Sequence, residues 1–141
     1  MVSLFHYYCV SLIKQTEGQL YVRSIYKAQQ AYFVEKGSFS NSVEALGLGL
    51  ETETKNYQYS TRATKQAAFN YGFSKQKELK SYISGVFVVP ASQVDANAPK
   101  NEMKTTAILC EADSPGTIKP AEPTYENGKI ACGTGTTKVT K

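Results

Sequence analysis

The chain has 141 residues, 41% of them hydrophobic, which is enough for one buried core and short for two domains. Sixteen Lys and Arg against 12 Asp and Glu leave a net charge of +4. The basic residues are scattered apart from Lys75, Lys77 and Lys80, which predicts a solvated turn there and excludes the dense basic face of a nucleic-acid-binding protein.

Residues 2–13, VSLFHYYCVSLI, are mostly apolar. As a helix they span about 18 Å, against a hydrocarbon core of about 30 Å. They are too short to cross a bilayer, so no membrane anchoring is expected of them. They also lack the basic start and small-residue cleavage site of a signal peptide. The expected role of residues 1–13 is an apolar extension of the helix that follows. His6, the only histidine, is expected to be a partly buried ring rather than a ligand.

From Lys14 to Gly37 the sequence predicts one amphipathic helix. Tyr21, Ile25, Ala28 and Tyr32 recur at steps of three and four, which places them on one face. Val22 and Phe33 lie beside them, and Arg23, Lys27, Gln30 and Glu35 fill much of the rest. This stripe is expected to lie against the protein's own sheet, with Phe69, Tyr71, Val86 and Val88 as its partners. Thr16 followed by Gln19 fits a capping box, and Gly37 is a natural stop.

Asn41 and Glu44 form a second helix-start signal, and Gly47 closes the short turn. The Gly47-Leu48-Gly49 pair lacks the third glycine and the preceding strand of a phosphate loop. The period then changes from 3.6 to 2. Tyr57, Tyr59 and Thr61 alternate with polar residues, and so do Phe69, Tyr71 and Phe73, which predicts two half-buried strands. Residues 82–89, YISGVFVV, read as a central strand ended by Pro90. A polar loop covers 90–103, and 105–112 is a fourth strand. Residues 113–128 are turn-rich, with Asn127-Gly128 a tight-turn signal. Residues 129–132 are expected to add a short edge strand, and the tail is expected to be flexible or an edge.

Of the three cysteines, Cys110 and Cys132 flank a Pro- and Gly-rich segment. A bond between them would stabilise that loop by about 3 kcal/mol in the chain-entropy model. That pairing is expected, with Cys9 free; two unpaired small hydrophobes are the alternative. With one histidine and no close cysteine pair, no metal site is expected. No catalytic residues, no cofactor and no small-molecule ligand are identifiable. Glu111 and Asp113 are close in sequence, but they fall at a strand end and turn where solvated carboxylates are common.

Three strings resemble, in order, the type IV pilin-like proteins of the G and H group, best known from cyanobacteria. They are YKAQQAYFVEKGSFSNSVEALGLGLETETKNYQYS at residues 26–60, SYISGVFVV, and the segment from AILCEA to IACGTG. The resemblance covers about residues 14–141. It implies an α+β headpiece: one N-terminal helix on an antiparallel sheet of four to five strands, with a disulfide-closed C-terminal loop. It divides the chain into an apolar extension, 1–13, and a pilin-like globular domain, 14–141. Residues 1–13 carry no Gly-Phe junction and no acidic residue shortly after it, unlike pilin precursors. Leader processing, membrane anchoring and filament incorporation are therefore not carried over. A truncated chain, a misassigned start and a soluble paralogue remain open.

The function implied is structural: a minor pilin or secretion pseudopilin, extracytoplasmic, assembling with other pilin-like subunits or secretion proteins. The competing expectation is a soluble extracytoplasmic binding module that uses exposed tyrosines and has no filament role.

Overall fold

The computed structural model describes residues 4–140. A single helix, α1 (Leu4–Lys36), leads the chain and is about 50 Å long. A short 3-10 turn (Glu44–Leu46) follows. Strands β1 (Tyr57–Ala63), β2 (Ala67–Ser74), β3 (Tyr82–Pro90) and β4 (Met103–Ala112) come next. The small strands β5 (Thr124–Glu126), β6 (Lys129–Ala131) and β7 (Thr136–Lys138) complete the fold. The main sheet has the order β1-β2-β3-β4-β7, and every pairing is antiparallel. β5 and β6 form a separate hairpin.

The expected helix continues without a break through the apolar extension, since 4–13 and 14–36 are one element. Thr16 is therefore not a cap. It lies mid-helix, and its hydroxyl donates to the carbonyl of Leu12 (3.0 Å). Asn41 is not a cap either: its Oδ1 accepts the N–H of Ala63 (2.8 Å) and so closes one end of β1. Ser42 takes the capping part, its Oγ accepting the N–H of Ala45 (3.2 Å).

Strand pairing assigns the two faces of the sheet. The side under α1 carries Tyr57, Tyr59, Tyr82 and Leu109, packed on Val22 and Ile25. Further along, Ala68 and Val86 meet Phe39, with Tyr26 and Phe33 beside them. The opposite side holds Phe69, Tyr71, Ile83, Phe87, Val89 and Ile108, with Tyr125, Ile130 and Cys132 packed over them. Phe69 and Tyr71 thus face away from the helix, contrary to the sequence expectation, whereas Val86 and Val88 lie on the helix side. Alternation reveals that two sets of side chains part, but not which set meets the helix. Both faces of β2 and β3 are buried, so these strands are apolar almost throughout.

Residues 129–132 do not extend the main sheet. Lys129–Ala131 pair only with β5, and the hairpin lies over the outer face instead. Its turn is Asn127-Gly128, with φ of 52° and 77°, the left-handed pair that a two-residue hairpin needs. The tail supplies the true edge, β7, against Cys110–Ala112.

Candidate assembly surface

The sheet-bound part of α1 buries a line one position round from the expected stripe. Gln15, Gly18, Val22, Ile25 and Gln29 recur at steps of three and four, and all are buried. Of the expected stripe, Ile25 lies on this line and is fully buried. Tyr21 flanks it, its ring 4.9 Å from that of Tyr59. Ala28 and Tyr32 are half-buried and face a shallow groove toward Ala45 and Leu46. The true line escaped a search for apolar residues because two of its members are glutamine and one is glycine.

Polar clamps fix this part of the helix. Gln15 Oε1 accepts the N–H of Lys80 (3.0 Å). The Glu17 carboxylate accepts from the Tyr59 hydroxyl (2.6 Å), the Thr54 hydroxyl (2.7 Å) and Asn56 Nδ2 (3.3 Å). The Gln29 amide donates to the Ser40 carbonyl (2.7 Å) and accepts the Ser40 N–H (2.9 Å). It also donates to the Thr61 hydroxyl (3.0 Å), which in turn donates to Asn70 Oδ1 (2.7 Å). Asn70 Nδ2 then reaches Ser84 Oγ (3.0 Å). Among the described residues each buried side-chain N or O atom has a partner, which such burial requires.

The tyrosines at this interface are held as neutral phenols. Burial first, then the hydrogen bond to Glu17, raises Tyr59 far above its ordinary range. Burial and the hydrogen bond to Glu111 do the same for Tyr82. Tyr57 is raised by burial and by the fields of Glu17 and Glu111.

The first ten residues of the helix differ. Leu4, Phe5, Tyr8 and Ile13 are 87%, 76%, 64% and 71% exposed, and Leu12 is 44% exposed. At 100° per residue these side chains fall within one half of the helix circumference and form a broad exposed face. The flank at Tyr8, Ser11 and Leu12 borders the globular part, at a crevice of about 250 Å³ shared with Glu78, Lys80 and Pro115. Cys9 is free and half-buried, and His6 is exposed. No helix among the described residues is long and apolar enough to cross a membrane. An exposed apolar face of that breadth marks a contact surface.

The second exposed feature is the C-terminal loop. Cys110 and Cys132 are bonded, with Cα atoms 5.8 Å apart. The bond holds the segment between them over the outer face. The Arg62 guanidinium forks onto Glu122 (2.8 and 3.2 Å) and lies 4.6 Å over the Phe69 ring. The Tyr71 hydroxyl also donates to Glu122. Burial pushes Glu122 upward, but the hydrogen bonds from Arg62 and Tyr71 outweigh it and hold the carboxyl below its usual value. Burial and the bond to Glu122 push Tyr71 up to about 12. Lys119 sits 4.9 Å over the Tyr71 ring. On the outer side, Ile118 stands 86% exposed beside a groove of about 500 Å³ that Asp113, Pro115 and Thr134 help to line.

Four of the charged residues named from the sequence take part in structural contacts. Lys75 pairs with Glu53 (2.6 Å) and Lys80 with Glu111 (3.5 Å). Asp113 accepts from the Thr137 hydroxyl (2.5 Å). Among the described residues no group of three or more His, Cys, Asp or Glu is placed to hold a metal ion.

A scan against protein-family models matches the chain to type IV pilin-like G and H over residues 15–133. Neither the curated proteins nor the solved structures contain a match.

Proposed function

Because the chain belongs to the type IV pilin-like G and H family, we propose that it is a non-enzymatic structural subunit that assembles with other pilin-like subunits through the first ten described residues of α1. Its place of action is extracytoplasmic, as that family implies. The carrying observation is the exposure of Leu4, Phe5, Tyr8 and Ile13 along one broad face of a helix whose next turns are firmly clamped to a domain. Covering these side chains with partner helices would contribute about 1.5–3 kcal/mol for each one fully buried. The domain would then be displayed outside the helical bundle, with the disulfide loop facing neighbours or solvent.

The test is reconstitution with co-expressed pilin-like subunits. Phe5→Asp with Ile13→Asp should leave the melting curve of the domain unchanged and reduce recovery of the co-assembled complex at least about tenfold. Undiminished assembly by the folded double variant would overturn the reading and favour a binding module with no filament role.

A further inference from the structure

The turn of the β5–β6 hairpin holds the least protected asparagine of the chain. Asn127 and Gly128 are both exposed, with φ of 52° and 77°. A Cβ at position 128 would also meet Gln93 Oε1 at 2.7 Å, so the positive φ and this contact together favour glycine there. The Gly128 nitrogen therefore has no Cβ beside it to crowd an approach. No described residue hydrogen-bonds the Asn127 carboxamide.

The other five asparagines are held or shielded. Asn41 Oδ1 accepts the Ala63 N–H (2.8 Å). Asn56 donates to Glu17 (3.3 Å) and accepts from Gln76 (2.8 Å). Asn70 is buried and bonded to Gln29, Thr61 and Ser84. Asn97 and Asn101 precede Ala98 and Glu102, whose Cβ atoms crowd the backbone nitrogen. β5 and β6, by contrast, share three residue pairs and pair with no strand of the main sheet. A lone two-stranded hairpin is marginally stable, so this one opens ahead of the sheet.

We propose that Asn127 is a self-modification site, converted to aspartate or isoaspartate when the hairpin opens. In the closed turn a left-handed residue has ψ of about 47°, which turns the Gly128 nitrogen away from the Asn127 side chain. Opening lets the two meet. The Gly128 nitrogen gives its proton to a base in solution and attacks Asn127 Cγ. The N–Cγ bond forms, the Cγ–Nδ2 bond breaks, and ammonia leaves with a proton taken from water. Water then opens the cyclic imide. Nothing is oxidised or reduced, and solvent is the only co-reactant. Attack at Cγ gives aspartate, which keeps the backbone length and tolerates the left-handed turn. Attack at the backbone carbonyl gives isoaspartate, which adds a methylene to the backbone. A two-residue turn has no room for it, so Glu126 and Lys129 lose their register, and Tyr125 and Ile130 leave the outer sheet face. Cys132 follows β6 directly, and its bond to Cys110 limits the opening. The inference does not rest on the role proposed for α1.

Ageing the full chain in mildly alkaline buffer, followed by peptide mass spectrometry, tests this. In the folded chain the mass gain of an amide-to-acid change should build up at Asn127 ahead of the other asparagines, with isoaspartate among the products. Denaturant should speed it at least about tenfold, because the closed turn then no longer withholds the nitrogen. Cys132→Ser should age at a rate between the two; if it does not fold, the native and denatured parent still decide. Asn127→Asp should keep the hairpin amides protected in hydrogen exchange, and the isoaspartyl fraction of the aged chain should lose that protection. An intact Asn127 in the folded chain, another asparagine converting first, or equal rates with and without denaturant would overturn the proposal. So would a folded Cys132→Ser chain that ages no faster than the parent, or isoaspartyl chains whose hairpin stays protected.

Discussion

Gly18 shows how closely helix and sheet approach. A Cβ built there would meet the Tyr57 ring at 2.6 Å. That ring cannot yield cheaply, because it is fully buried and its hydroxyl is tied to the Lys80 carbonyl (2.7 Å). Alanine elsewhere in a helix gains up to about 1 kcal/mol over glycine. Here Gly18→Ala should instead destabilise by about 1–3 kcal/mol, as overpacked cores do; a denaturant melt shows the sign. The buried tyrosines give a second prediction at this scale. Tyr57, Tyr59, Tyr71 and Tyr82 are all raised above the ordinary 10.0. A raised pKa means that the unfolded chain releases these protons first. Their contribution is complete below pH 10 and is lost as pH climbs through 10 to about 12, where Tyr71 ionises in the fold. The tyrosinate absorbance of these four of the ten tyrosines should therefore appear together with the loss of helical circular dichroism. Ionisation of all ten near pH 10 while the fold persists would contradict this.

At the scale of elements, α1 is an amphipathic helix only where it has a sheet to cover. Ile25→Ala removes a fully buried side chain from that contact and should cost about 2–5 kcal/mol. Lys27→Ala, on the exposed side, should change stability by about 0.5 kcal/mol or less. Equal losses in denaturant melts would refute the buried line. The disulfide holds a segment with little buried apolar surface of its own, so Cys132→Ser should cost about 2–5 kcal/mol. The same change should expose the outer sheet face to proteolysis at the 113–131 loop. The helix, the first four strands and the Cys110–Cys132 bond were legible because each leaves a local trace: a 3.6 period, a 2 period or continuous apolar run, a turn-rich loop between cysteines. The face assignment of Phe69 and Tyr71 was not, since both faces of β2 are apolar and nothing local names the helix side. Gln29 left no trace either, because a glutamine on a helix reads as solvated until the Ser40 loop and Asn70 are brought to it.

For the molecule as a whole, the two halves of α1 answer to different partners. One half is satisfied within the chain, by the tyrosines of the sheet and the clamps at Gln15, Glu17 and Gln29. The other part extends about 15 Å with exposed apolar side chains over about half of its circumference. Sequence reading found this apolar run and its continuity with the helix. It could not find the exposure, which depends on where the sheet stops. The most direct measurement is photo-cross-linking in the full chain, with the reactive residue at position 8 in place of Tyr8 and, as a control, at position 65 in the exposed β1–β2 turn. In the presence of pilin-like partner subunits, position 8 should capture their N-terminal helices and position 65 should not. Equal capture at both positions, or none at position 8 while a complex forms, would contradict an assembly surface on the first turns of α1.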